Sequence, residues 1–406
     1  MQYNSLEMQH LLAESPLRRP LNAFLFAILL VSLLSIGAYN LLWPLYGGAP
    51  RMIQAFAIAC VIAVIATIPA VLLVWYLDQR EHESPLLLAG VGVWGAVVSA
   101  SMSLVFGNTL YAYMLNLAKQ SGGTIFGLSA ETFTAVFTTP IVEELVKGIA
   151  IVLVFWLLRS DFDDVRDGLI YGAVVGLGFN AAQYTIFLLD EFVYGGTPPY
   201  LSLAALQFVF LGVNGHFIFS ALLGAGFGLA RQTHNARLKW LAPLGGIALA
   251  ILANILASSV GTKVINEVVR AFTGERLLFA STPPQIVWIA TALGTLASLF
   301  WAFILLGYAV YRSELWELET IRKYLFSEVN TCVTPDDYVL IEEDKPFKGR
   351  LTPGYPPKLA HAIMHAQNEL AYRKWHVEED GGKIEDDELV QAWRARISQL
   401  RASVQK

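Results

Sequence analysis

Charged residues are scarce in this chain. Of its 406 residues 15% are Asp, Glu, Lys or Arg and 55% are hydrophobic, whereas a soluble globular protein normally carries about 25% charged residues. The mean hydropathy is +0.51. This composition excludes an ordinary soluble domain and indicates an integral membrane protein. The net charge of −5 comes with no basic block, so a nucleic acid is not an expected partner.

Cysteine is also scarce, with Cys60 in an apolar run and Cys332 in a polar tail. Neither belongs to a CxxC pair or a zinc-ligand spacing, so we expect no structural disulfide, no metal and no other cofactor. Residues 1–20 lack the basic-then-apolar order of a cleavable signal and contain Arg18 and Arg19 near their end. We interpret them as a cytoplasmic N-terminal segment ahead of a retained signal anchor.

Long apolar runs fill residues 21–311, and a helix needs about 20 mainly apolar residues to span the hydrocarbon core. Eight runs qualify: 21–43, 52–77, 86–117, 137–158, 168–189, 203–230, 240–260 and 285–311. The third is long enough to be tilted or broken, and 122–137 could be an interfacial or re-entrant piece, so seven or nine spans remain open. The predicted fold class is all-α, a polytopic membrane helix bundle of about eight transmembrane helices.

Basic residues near a span are retained on the cytoplasmic side. With the N-terminus inside, the inner segments hold Arg18, Arg19, Arg80, Arg159, Arg166, Arg231, Arg237 and Lys239, and the outer ones hold Arg51, Lys119, Lys263, Arg270 and Arg276. The outer segment 190–201 has no basic residue. Both termini are therefore predicted to be cytoplasmic, in a protein of the bacterial cell (inner) membrane.

The composition turns polar at residue 312. Residues 312–406 contain apolar positions at helical spacing, separated by Pro and Gly clusters at 352–357 and 381–382. We predict a small, soluble, helical cytoplasmic domain here. His361 and His365 lie one turn apart, but without the HExxH arrangement they are interpreted as residues of an amphipathic helix.

The stretch "TTPIVEELVKGIAIVLVFWLL", residues 138–158, places three ionisable residues inside a candidate span: Glu143, Glu144 and Lys147. Such groups are costly in hydrocarbon and usually mark function. Separations of three and four residues let Lys147 approach either carboxylate on one helix. One carboxylate is then neutralised and the other is free to act as a base. The alternative is an ion pair that serves only helix packing.

The next spans add polar groups. Asn180 and Gln183 lie one turn apart in a span with glycines at every fourth position, which lets helices approach closely. His216 lies within the following span, and Asn254 lies in the one after that. These polar groups accompany the carboxylate pair of the preceding span.

In these motifs the chain resembles the PrsW-type glutamic intramembrane proteases, a family related to the CAAX prenyl proteases and to the scaffold subunit of gamma-secretase. The resemblance covers about residues 137–260, which we designate the PrsW-like core. The first motif stands as "EELVK" from Glu143, the second as "DGLIYGAVVGLGF" from Asp167, and the third as "GHFIFSALLGAGFGLA" from Gly215.

Two positions depart from the family pattern. The second motif usually continues to a glutamate and an asparagine, where this chain has Gln183 and Tyr184. The family also tends to carry a late histidine four residues before an asparagine, where this chain has Ala250 before Asn254. A glutamine can hold a water but cannot accept its proton.

The predicted site follows from the residues and the resemblance together. We expect Glu143, Glu144 and His216 to be catalytic. The expected supporting residues are Lys147, Asn180, Gln183 and Asn254. Peptide hydrolysis needs a water, a base, oxyanion donors and an acid for the leaving amine, and these residues supply the minimum set. No metal is expected, because catalytic zinc usually has three protein ligands including histidine, and His216 is the one histidine within the eight predicted spans.

The predicted function is that of an intramembrane endopeptidase acting on a membrane-anchored protein. The resemblance makes an anti-sigma factor or another signalling protein the expected substrate class. The alternative is a catalytically inactive relative that binds a transmembrane partner within the lipid bilayer. A transporter is a third interpretation, although the chain lacks the paired interrupted helices of an inverted repeat.

Overall fold

The computed structural model describes residues 20–46, 50–78, 84–157, 162–201, 215–274, 283–348, 350, 352 and 354–403. These residues form eleven helices and no β-strand. In chain order the helices are α1 (Pro20–Leu42), α2 (Pro50–Leu77), α3 (Pro85–Gln120), α4 (130–157), α5 (Val165–Gly195), α6 (His216–Gln232), α7 (Ala236–Thr273), α8 (Pro284–Phe326), α9 (Pro335–Glu343), α10 (Pro357–Glu379) and α11 (Glu388–Ala402). The predicted helical membrane bundle is confirmed.

Six of the described helices are long and apolar enough to cross a membrane, namely α1, α2, α3, α5, α7 and α8. The sequence predicts eight. The predicted span 137–158 corresponds to α4, whose segment Thr139–Leu157 carries three ionisable residues. The predicted span 203–230 is described only from residue 215, so α6 has 17 described residues. The N-terminal segment, apart from Pro20, lies outside the described residues.

Three of the helices contain a short π-helical segment: Trp94–Ser99 in α3, Thr134–Thr138 in α4 and Ala257–Gly261 in α7. Single π turns inside α-helices are frequent at functional sites. The π-helical segment in α3 interrupts the regular α-helix of that long span, which the sequence analysis considered tilted or broken. Helix α7 continues past the predicted end at residue 260, to Thr273.

Helix α5 lies at the centre of the bundle and packs against α2, α3 and α6. Its closest neighbour is α6, and glycines make that approach possible. A Cβ added at Gly172 would lie 2.0 Å from the Ser220 carbonyl oxygen, and one added at Gly224 would lie 1.8 Å from that of Gly168. The two backbones therefore touch, as the predicted small-residue spacing requires.

Helix α8 runs without a break from the bundle into the polar tail, across the predicted boundary at 311–312. Its far end joins a second hydrophobic core that includes Ile321, Leu370 and Trp375. Arg166, at the start of α5 and 1% exposed, is bound by Glu314 at 3.0 Å and Glu317 at 3.1 Å. Buried ion pairs thus join α8 to the end of α5.

The tail lies against the segments that precede α5 and α7. Trp375 donates from its indole nitrogen to His234 at 3.1 Å, Lys239 pairs with Glu379 at 2.6 Å, and His376 lies 3.5 Å from Asp163. These segments are on one side of the bundle with the tail. The cytoplasmic orientation remains a prediction. It was inferred from the basic residues between the spans, and five of these, Arg18, Arg19, Arg80, Arg159 and Arg276, lie outside the described residues.

Candidate active site

Three of the four ionisable residues of α4 lie together and are buried. Glu144 and Lys147 are fully buried, and Glu143 is 5% exposed. The Lys147 ammonium donates to Glu144 Oε1 at 2.5 Å. This pair neutralises one of the two carboxylates, and the Glu143 carboxylate is the one that Lys147 does not bond.

The glycine contacts between α5 and α6 place Gln183 and His216 beside these carboxylates. Gly215 has a φ of 80° and precedes α6, so His216 is the first residue of that helix. A Cβ at Gly176 would lie 2.3 Å from the His216 carbonyl oxygen. The backbone of His216 therefore rests directly on α5, two turns before Gln183.

Gln183 bridges Glu143 and His216. Its amide nitrogen donates to Glu143 Oε1 at 3.1 Å, and its carbonyl oxygen lies 2.6 Å from His216 Nε2. Because an amide oxygen only accepts, His216 Nε2 must be the donor. His216 Nδ1 then carries the lone pair and accepts from the Lys147 ammonium at 3.1 Å. The geometry thus indicates a neutral imidazole with its proton on Nε2.

Asn254, on α7, forms hydrogen bonds with both carboxylates of α4. Its amide nitrogen donates to Glu143 Oε2 at 3.0 Å and to Glu144 Oε1 at 2.8 Å. Both amide hydrogens are used in these bonds, so Asn254 has no donor left for a substrate. Ala250, at the position of the family's late histidine, is fully buried one turn away.

The structure brings six of the seven predicted site residues into one hydrogen-bonded cluster. These are Glu143, Glu144, Lys147, Gln183, His216 and Asn254. Asn180 is buried, but its side-chain oxygen finds no hydrogen-bond partner among the residues described. Asp167, which opens the second motif, forms a capping box with Asp164 at the start of α5. Its role is therefore to begin the helix.

A groove of about 470 Å³ leads to the cluster between α3, α4 and α5. Glu143 and Gln183 line its inner end, and Asn108, Tyr111 and Glu131 line it farther out. Glu144, Lys147 and His216 do not line it. The two carboxylates are thereby distinguished: Glu143 faces open space, while Glu144 is held behind it by Lys147.

The sequence reasoning missed the contribution of α3 and of the start of α4. Ser103 and Thr134 line the groove, and neither hydroxyl has a hydrogen-bond partner among the described residues. The available signal for α3 was the three serines at 99, 101 and 103 within an apolar span. Polar side chains inside a span usually face a bundle interior.

Comparison with known proteins shows what this chain is similar to. Residues 83–266 match the family model described as PrsW family intramembrane metalloprotease. Over this part of the chain, which is less than half of its length, the protein is similar to the PrsW intramembrane proteases. It is 28% identical over 173 residues to Protease PrsW of Geobacillus kaustophilus, a match that covers 42% of this chain and 67% of that protein.

A second relative, Protease PrsW of Bacillus subtilis, is 27% identical over 173 residues, which is 42% of this chain and 69% of that protein. No solved structure matches the chain. The six candidate spans make the chain an integral membrane protein, and its similarity to these proteases supports a peptide hydrolase. Its tail beyond residue 266 lies outside the family match.

The family description implies a metal, which the donor set allows us to test. Glu143, Glu144 and His216 each offer one ligand atom, and these atoms lie within 4.8 Å of one another. Carboxylates and imidazoles are among the side-chain groups that bind zinc in proteins. However, the Lys147 ammonium is bonded to both Glu144 Oε1 and His216 Nδ1. A cation between those atoms would lie against a positive charge, so the arrangement does not fit a metal.

Proposed function

We propose that the chain is an endopeptidase that cleaves a membrane-anchored protein, with Glu143 as the base that activates water. The observation that supports this most is the position of Glu143, the one carboxylate of the cluster that lines the groove. A base must reach the proton it removes, either directly or through one water. Glu144 is bonded to Lys147 and lies behind it.

The hydrolysis can be written with this chain's own residues. A water held by Glu143 attacks the scissile carbonyl carbon, and its proton passes to the Glu143 carboxylate. The new C–O bond makes a tetrahedral oxyanion. The C–N bond then breaks while Glu143 returns the proton to the leaving nitrogen, so one residue serves as base and then as acid.

Gln183 is the candidate oxyanion donor. One of its amide hydrogens goes to Glu143, and the second is free to point into the groove that Gln183 lines. His216 holds the amide by donating to its oxygen, which fixes the direction of both hydrogens. His216 and Asn254 are thus positioning residues, and Lys147 holds the charge of Glu144 in place.

The groove suits an unwound stretch of substrate. A peptide bond can be attacked only where the substrate helix opens, and the freed backbone groups then need partners because lipid offers none. The unpartnered hydroxyls of Ser103 and Thr134 can supply such bonds. We propose a single-span signalling protein, such as an anti-sigma factor, as the substrate, in a cell membrane with both termini of the protease in the cytoplasm.

The test uses the purified full chain with candidate single-span substrates, among them anti-sigma factors. Glu143→Gln should lower the cleavage rate by about 10²–10⁴-fold, the usual contribution of a general base. Glu267→Gln is the matched control, because Glu267 is an exposed glutamate at the far end of α7, and it should cleave at the wild-type rate.

Two outcomes would contradict the proposal. If Glu143→Gln cleaves like the control, Glu143 is not the base. If no candidate is cleaved by the wild type while Gln183→Glu cleaves, the natural chain is a partner-binding relative whose second-motif glutamate has been lost.

A further inference from the structure

A second groove lies between α6, α7 and α8, on the side of the bundle that carries the tail. Its volume is about 540 Å³, within the range of small-molecule sites. It shares no lining residue with the groove that leads to Glu143. The hydrolysis described above gives it no role.

The inner part of this groove is apolar and lacks side chains where a ligand would lie. Leu222, Leu249 and Leu306 form its wall. A Cβ added at Gly245 would meet nothing within 4 Å, so the residue opens onto free space. From Leu305 to Arg312 the groove extends about 10 Å along α8, at 1.5 Å per residue. Its shape and polarity match a hydrocarbon chain.

The groove is open to the bilayer. Leu229 is 39% exposed, Leu305 is 36% exposed and Tyr308 is 60% exposed, and all three line it. Exposed apolar side chains of a membrane-spanning helix face lipid, and tyrosine favours the level of the headgroups. A lipid can therefore enter from the side.

The end of the groove nearest the tail is polar and positively charged. Arg312 is exposed and forms no ion pair with any residue that the structure describes. The nearest acids along α8, Glu314 and Glu317, are turned to Arg166. Ser313 is 1% exposed, and its hydroxyl has no hydrogen-bond partner within the described ranges although it lines the groove.

We propose that this groove binds an anionic phospholipid, with an acyl chain along Gly245 and Leu249 and the headgroup phosphate at Arg312 and Ser313. An isolated arginine at the headgroup level selects an anionic lipid over a zwitterionic one. Guanidinium–phosphate hydrogen bonds are among the stronger ones in proteins. Such a lipid would brace α8, the helix that joins the bundle to the tail.

The test measures lipid binding to the purified full chain by native mass spectrometry. The probes are phosphatidylglycerol and phosphatidylcholine with the same palmitoyl and oleoyl chains. We expect phosphatidylglycerol to bind at least about tenfold more tightly, and Arg312→Ala to weaken it about tenfold. Gly245→Leu should abolish binding of both lipids by filling the groove, and Ser313→Ala should weaken both.

Matched controls distinguish the effect of substitutions in the groove from the effect of similar substitutions elsewhere in the protein. A Cβ at Gly307 also meets nothing within 4 Å, and Gly307 is on α8 but does not line the groove, so Gly307→Leu should bind lipid normally. Arg237 is likewise exposed and outside the groove, so Arg237→Ala should retain the preference. If Gly245→Leu does not fold, the comparison of Arg312→Ala with Arg237→Ala decides.

Three results would overturn the proposal. They are equal affinity of the wild type for the two lipids, unchanged binding in Gly245→Leu or Arg312→Ala, and an equal loss in the controls. Displacement of phosphatidylglycerol by glycerophosphoglycerol at matched concentration would show a soluble-anion site instead. Displacement by a single-span peptide that crosslinks at residue 245 would show a protein-binding groove.

Discussion

At the scale of single residues, Gln183 is the sharpest departure from the PrsW pattern that the chain resembles, because that pattern usually has a glutamate at this position. Its amide holds Glu143 on one side and is held by His216 on the other. We predict that Gln183→Ala lowers the turnover number by about 10²–10³-fold, the usual cost of losing an oxyanion donor, with a smaller change in KM. Steady-state kinetics on the same substrate measure this.

Glu319→Gln, an exposed change in the tail, is the control for Gln183→Ala. A turnover number within twofold of the wild type in Gln183→Ala would mean that another group stabilises the oxyanion. A rise in KM at constant turnover would mean that Gln183 only binds substrate.

The position of Lys147 leads to a prediction about metal removal. Because its ammonium lies between Glu144 and His216, cleavage should persist at the wild-type rate after treatment with a membrane-permeable zinc chelator. The measurement compares initial rates with and without the chelator, and again after zinc is restored. Loss of activity that zinc restores would show that Lys147 moves aside for a metal.

The sequence could predict part of this cluster. Separations of three and four residues place Glu143, Glu144 and Lys147 together on any helix. The bridging by Gln183 and the tautomer of His216 depend on how α4, α5 and α6 are placed relative to one another. Residue spacing within a single helix does not give that placement. Asn180 shows the limit, since it is one turn from Gln183 and makes no hydrogen bond to the cluster.

At the scale of helices, the contact of α5 with α6 carries His216 to the carboxylates. We predict that Gly172→Ala destabilises the protein by about 1–3 kcal/mol, as overpacking does, because its Cβ would lie 2.0 Å from the Ser220 carbonyl oxygen. Thermal unfolding in detergent measures this, together with the cleavage rate.

Gly90→Ala provides the comparison for Gly172→Ala, because a Cβ there meets nothing within 4 Å. Alanine favours a helix over glycine by about 1 kcal/mol, so this variant should be as stable as the wild type or slightly more. Equal melting temperatures for the two variants would refute a direct backbone contact.

Helix ends were less predictable than helix contacts. Hydropathy marks where a chain leaves the bilayer, but α8 continues for 15 residues beyond 311, to Phe326. Ion pairs with Arg166 support part of this continuation. We predict that Arg166→Ala lowers stability by about 3–5 kcal/mol, because the buried carboxylates of Glu314 and Glu317 would lose their ion pairs with Arg166.

Protease accessibility of the tail and the unfolding midpoint both report on Arg166→Ala. The matched variant is Arg237→Ala. Arg237 is exposed, so its replacement should change neither the unfolding midpoint nor the protease accessibility of the tail. An unchanged midpoint and an equally protected tail in Arg166→Ala would show that α8 is held by apolar contacts alone.

At the scale of the whole molecule, the tail has its own core and its own buried charge. Glu328 is fully buried and is bonded to Lys374 at 2.7 Å and to Arg394 at 2.7 Å. Burial raises the pKa of Glu328, but the hydrogen bonds and charges of Arg394 and Lys374 lower it more, so its pKa lies below the ordinary value.

This depressed pKa predicts how the tail responds to acid. The stabilisation by Glu328 is present above the unfolded-state pKa of about 4.3 and is lost as the pH falls through the lower folded-state pKa. The unfolding free energy of Glu328→Gln should therefore be lower near neutral pH and less steep in acid. Identical pH profiles for the variant and the wild type would contradict this.

The central claim is that Glu143 drives peptide hydrolysis inside the membrane. The most direct measurement reconstitutes the full chain with a single-span substrate in liposomes made in H₂¹⁸O, and analyses the products by mass spectrometry. Our account predicts cleavage within the membrane segment, one ¹⁸O in the new carboxyl terminus, and a rate about 10²–10⁴-fold lower for Glu143→Gln. Product from Glu143→Gln at the wild-type rate, or no product from the wild type on any membrane-anchored substrate, would contradict it.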